Sequence, residues 1–208
     1  MSKSGLLASV ALAAALLLSA GAALAQDDVS ASTAPEASVS AVDPRIAALE
    51  ALVPPTLAGL RLDENLRLAT GEELAAVMSP EEAAVLEEAF AANGASFADY
   101  VAAATWLPVA DTDIVVIQAH RIAGVPAAET IGAWVEILSM HTTEPEVSEG
   151  SVAGREITLM SDAANAAAPL LHLFPADDVV WMMWADDQLL VEEAMDQVGA
   201  DEGGVPTE

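Results

Sequence analysis

The chain of 208 residues contains no cysteine. Thiol catalysis, thiolate-held zinc and iron–sulfur ligation are therefore excluded, and the fold must stand on its hydrophobic core without disulfides. Positive charge is almost as scarce. One lysine, Lys3, and five arginines face 33 acidic residues, for a formal net charge of −27. Such a surface repels phosphate backbones and anionic headgroups, so nucleic acid and anionic membranes are excluded as partners. Missing too are the G-x-S-x-G elbow, the phosphate loop, the H-E-x-x-H helix and the complete calcium loop, so no familiar catalytic, phosphate or metal site is spelled out. No cofactor is implied.

What is present begins with an export signal. Lys3 precedes an apolar stretch from Leu6 to Ala20, and Ala23-Leu24-Ala25 is a small-x-small cleavage site followed by polar Gln26-Asp27-Asp28. Residues 1–25 read as a signal peptide cleaved after Ala25. No twin arginine precedes the apolar stretch and no cysteine follows the cleavage site, which points to the general secretory route and a secreted, periplasmic or cell-envelope protein. Cleavage removes one charge, that of Lys3, so the mature chain carries −28 and no membrane anchor.

Residues 26–48 are rich in Ser, Ala, Pro and acid without apolar periodicity, which predicts a disordered leader. One domain is expected over 49–199, and a flexible tail over 200–208. Its centre is Thr112 to Met140, where the β-branched run Ile114–Ile117 marks an interior strand. Gly124 and Pro126 break that strand. Pro126 suits a first helical position, and Ile131, Trp134, Val135 and Leu138 form one helical stripe.

Upstream, Leu60–Leu68 reads as a small hairpin about Asp63-Glu64-Asn65, with Arg61 and Arg67 sharing its polar face. Two capping boxes, Thr70 with Glu73 and Ser79 with Glu82, open two helical pieces that Asn93-Gly94 ends. The glutamates 72, 73, 81, 82, 87 and 88 read as a solvated face. Phe97–Leu107 is expected to be a strand, His141–Gly150 an acidic loop, and Ser151–Met160 a strand. Leu170–Phe174 and Val179–Trp184 frame a four-residue turn, and Val191, Ala194, Met195 and Val198 mark a last helix. The whole predicts an α+β fold: a single domain with a mainly antiparallel sheet of about six strands and about three helices on one face.

The segments AHRIAGVPAAETIGAW, VAGREITLM and LFPADDVVWMMWADDQLLVEEAM resemble those of a group of uncharacterised exported bacterial proteins. The matching positions are Ala119, Arg121, Gly124, Gly154-Arg155, Ile157-Thr158 and Asp178-Val179, within roughly residues 115–198. The likeness implies export and an α+β fold, and no activity.

Candidate groups are few. His120 lies on the central strand, His172 in the hairpin and His141 at the acidic loop, without short metal-ligand spacing. His120 and His172 read first as hydrogen-bonded strand residues, His141 with Glu144 and Glu146 as a loose cation holder. Asp111-Thr112-Asp113 begins like a calcium loop and then departs from one. Trp181 and Trp184 point to opposite faces of their strand. One face is core, and the other is either covered by a helix or exposed to a protein partner. These features favour an exported, non-enzymatic binding or interaction module. The alternatives are a hydrolase of unfamiliar type, using a histidine with carboxylates, and a weak divalent-cation-binding or salt-adapted acidic surface protein.

Overall fold

The computed structural model describes residues 43–108, 114–152, 154–165, 168–185 and 187–198. The signal segment, most of the leader, the Asp111-Thr112-Asp113 triplet and the tail lie outside them. The described residues form an α+β domain around an antiparallel sheet of seven strands in the order β3-β4-β5-β9-β8-β7-β6. These are β3 Arg67–Thr70, β4 Tyr100–Pro108, β5 Ile114–Ile122, β6 Pro145–Val152, β7 Arg155–Asp162, β8 Leu171–Ala176 and β9 Val179–Trp184. A separate two-stranded ribbon pairs β1 Thr56–Leu57 with β2 Leu60–Arg61. Five helices accompany them: α1 Pro44–Glu50, α2 Gly71–Ala75, α3 Pro80–Ala92, α4 Ile131–Met140 and α5 Gln188–Gln197.

The sheet class is as expected, but its cover is not. Helices pack on both faces, because β9 is apolar at every position and β5 is buried at all but Ile114 and Arg121, which leaves no face for water. On one face Val116, Ile122, Val180, Met182 and Trp184 meet Leu74 of α2, Leu86 and Phe90 of α3, and Trp134, Ile137 and Leu138 of α4. On the other, Ile117, Ala119, Trp181 and Met183 meet Leu49 of α1, Leu57 and Leu62 around the ribbon, and Val191, Ala194 and Met195 of α5. Each such large side chain, fully buried, contributes about 1.5–3 kcal/mol of transfer free energy.

Local signals explain most elements. Both predicted capping boxes are formed, Thr70 with Glu73 opening α2 and Ser79 with Glu82 opening α3. β5 is interior, hydrogen-bonded to β4 and β9. Pro126 precedes a single 3-10 turn, Ala127–Glu129, and α4 starts only at Ile131.

Four expectations change. A helix, Pro44–Glu50, begins inside the segment read as leader (26–48) and runs across the expected domain start, capped by Asp43 and anchored by buried Leu49. Its capping Asp and N1 proline were the signals available. The Leu60–Leu68 hairpin does not form. β2 pairs backward with β1, and β3 joins the main sheet along β4. Most of the acidic loop is the edge strand β6. The four-residue turn narrows to Asp177-Asp178, since Pro175 and Ala176 continue the ladder with β9.

Candidate functional site

The three histidines occupy three separate environments. His120 projects from β5 under α4, where Tyr100 Oη lies 2.6 Å from its Nδ1 and Gln118 Oε1 lies 3.1 Å from its Nε2. Its ring packs at a tilt against Trp134, with centroids 4.1 Å apart and 38° between the planes. Burial holds its pKa down at about 3, so the imidazole is neutral at physiological pH. Burial likewise lifts the Tyr100 phenol well above its usual value. A neutral ring that accepts from a phenol at Nδ1 donates to the amide oxygen at Nε2. Both ring nitrogens are thus satisfied in a core network that holds no carboxylate, while Gln118 Nε2 and Trp134 Nε1 beside the ring have no hydrogen-bond partner among the described residues.

His172 lies on the opposite face of the sheet, buried, with neither ring nitrogen hydrogen-bonded among the described residues. Burial lowers its pKa. His141, at the end of α4, places Nε2 2.7 Å from Glu82 Oε1, a carboxylate that the sequence reading did not pair with it. Glu82 is 3% exposed, and so leaves the solvated face to which the sequence assigned it. Its other oxygen accepts the Ser79 backbone N–H at 2.7 Å, while Ser79 Oγ accepts the Glu82 N–H. The serine hydroxyl thus serves the helix cap on the carboxylate side of the pair. The arrangement ties the start of α3 to the end of α4.

The other sequence candidates disperse. As residues of a strand, Glu146 and Glu149 point to opposite faces of β6 and cannot share an ion. Among the described residues no cluster of three metal-ligating side chains is found. Asp111 and Asp113 lie outside the described residues. Trp181 and Trp184 do point to opposite faces, and both are covered, at 1% and 6% exposure, so the aromatic hairpin offers no apolar patch. Arg61 pairs with Asp63, and Arg67 lies over the Trp106 ring, so those two arginines form no shared anion site.

A water-open cleft appears where α1 crosses the end of the β4–β5 pair. It encloses about 200 Å³ and is lined by Pro44, Arg45, Ala48, Asp99, Val101, Arg121 and Ala123. The strand register builds it: Val101 faces Arg121 across the β4–β5 ladder, and two residues on, the Ala123 N–H donates to the Asp99 carbonyl. These four residues therefore share one face, and α1 covers it.

The cleft's charged groups are individually held. Arg45 clasps Asp43 through Nε and Nη2, and its Nη1 donates to the Ala98 carbonyl. The guanidinium draws the Asp43 carboxyl down to about 2. Arg121 donates Nε to Asp178 Oδ2 at 2.8 Å, and its Nη groups have no hydrogen-bond partner among the described residues. Asp99 Oδ2 accepts the Ser96 N–H and Oγ–H at 3.0 and 2.8 Å, leaving Oδ1 with no such partner.

Compared with known proteins, the chain matches no family model, no curated protein and no solved structure. Sequence reasoning missed this cleft. The usable signal was the scarcity of arginine: in so acidic a chain, a guanidinium held on a strand, as Arg121 is on β5, stands out. Its partner is Asp178.

Proposed function

We propose that the protein is exported and acts as a non-enzymatic binding module. The observation that carries this reading is a contrast within the fold. The histidines are spent separately, on a buried network, an isolated strand position and a helix–helix tie, whereas a cleft with charge of both signs is open to water. A hydrolase would need a nucleophile, a base and an orienting group drawn together, and the described histidines do not meet that geometry. No helix among the described residues is long and apolar enough to cross a membrane.

Expression of the full chain tests the export half. The product recovered from the medium or cell envelope should begin at Gln26, and retention of residues 1–25 contradicts cleavage. Thermal unfolding of that product against a panel of small polar solutes tests the binding half. At least one solute should raise the midpoint by mass action on the native state. Hydrolysis of ester, peptide or phosphoester substrates that disappears in His120→Ala, His141→Ala or His172→Ala would instead establish an enzyme.

A further inference from the structure

The cleft's charge arithmetic narrows its ligand. Asp43 neutralises Arg45, Asp178 neutralises Arg121, and Asp99 remains as one uncompensated carboxylate. A bare anion would enter a place that already carries net negative charge. A bare cation would satisfy Asp99 and leave the Arg121 fork without an acceptor. A ligand bearing both an anionic and a cationic group meets both needs and adds no net charge.

Resting on the binding-module reading, we propose that the cleft binds a free α-amino acid with a small aliphatic side chain. Its carboxylate accepts two N–H bonds from Nη1 and Nη2 of Arg121, the fork geometry that guanidinium offers a planar oxyanion. Its ammonium donates to Asp99 Oδ1, the oxygen that Ser96 leaves open. Arg45 has its charge matched by Asp43 and three of its N–H groups taken up by Asp43 and Ala98, and it forms a wall of the cleft. Pro44, Ala48, Val101 and Ala123 give the side chain an apolar surface. The volume of about 200 Å³ lies below the roughly 300 Å³ at which drug-sized pockets begin, which matches a ligand the size of a small amino acid.

Calorimetric titration of the protein with glycine, L-alanine and L-valine tests this, with propionate and ethylamine as probes lacking the ammonium or the carboxylate. At least one amino acid should bind, roughly tenfold or more tighter than either half-probe, as expected when one charge-assisted contact is lost. Asp99→Asn keeps the acceptor oxygen for Ser96 and should bring the amino acid down to the level of propionate. Arg121→Gln should bring it down to the level of ethylamine. If Arg121→Gln does not fold, the half-probes and Asp99→Asn decide alone. Equal binding of amino acid and propionate, undiminished binding in Asp99→Asn, or no binding of any amino acid overturns the inference. A different solute that stabilises the protein while the amino acids do not would sink this assignment and leave the binding module standing. Hydrolytic turnover with no binding sinks both.

Discussion

Glu82 shows how much one side chain can carry in a chain with so few cations. Burial pushes its carboxyl up, but hydrogen bonds from Ser79 and His141 outweigh that, and the net shift is downward from 4.5. A carboxyl lowered in the folded state stabilises the fold above its unfolded pKa, and that contribution is lost as pH falls through the folded value. Glu82→Gln keeps a capping side chain but loses the charge. Its deficit relative to the native protein should be about 1–3 kcal/mol at neutral pH by urea unfolding. That deficit should be full above pH 4.5 and shrink below it. A pH-independent deficit would mean that only the cap matters.

The His120 network makes a second residue-level prediction. Tyr100→Phe leaves Nδ1 buried without its donor, which should cost about 1–3 kcal/mol. Because burial holds the ring's pKa at about 3, the folded state stays neutral while the unfolded chain takes up a proton near 6.5. Stability from this group therefore declines as pH falls from 6.5 toward 3. The His120 imidazole resonances should not move between about pH 5 and 8. The sequence placed His120 correctly as a hydrogen-bonded strand residue. It could not reveal Tyr100 as the partner, twenty residues away in the chain, because that contact depends on the β4–β5 register.

At the scale of elements, β6 exposes what sequence patterns miss. Five of its first residues, Pro145 to Glu149, are exposed, so no buried face imposes the alternation by which strands are recognised. Its outer backbone edge has no neighbour in the sheet, and its proline and glutamates discourage another chain from pairing there. Glu146→Val with Glu149→Val should turn that edge into a template, giving concentration-dependent association by sedimentation while β5 and the core stay intact. A monomer at all concentrations would show that the charges play no such part. By contrast α2, α3 and α5 were legible, because caps and 3.6-residue stripes are local. Whether a buried strand is covered on one face or two was also legible in principle: the unbroken apolar run Val179–Trp184 demands cover on both sides. The cleft was illegible because its residues come from α1, the end of β4 and the end of β5, which only the tertiary fold brings together.

For the whole molecule, charge dominates. A formal net charge of −27 destabilises the compact state by self-repulsion, and added salt relieves it. Glutamates separated to opposite faces of β6 give no shared ion site, so calcium chloride and sodium chloride at matched ionic strength should raise the unfolding midpoint equally. A rise specific to low-millimolar calcium would point to a defined site, and Asp111 and Asp113 would be the first residues to mutate.

The most direct test of the account is an amide chemical-shift map of the protein during titration with a mixture of small aliphatic amino acids. A binding module whose site is this cleft predicts saturable shifts confined to Asp99, Val101, Arg121, Ala123 and the first turn of α1. Saturable shifts centred on His141 and Glu82, or on the exposed face of β6, with the cleft silent, would contradict it.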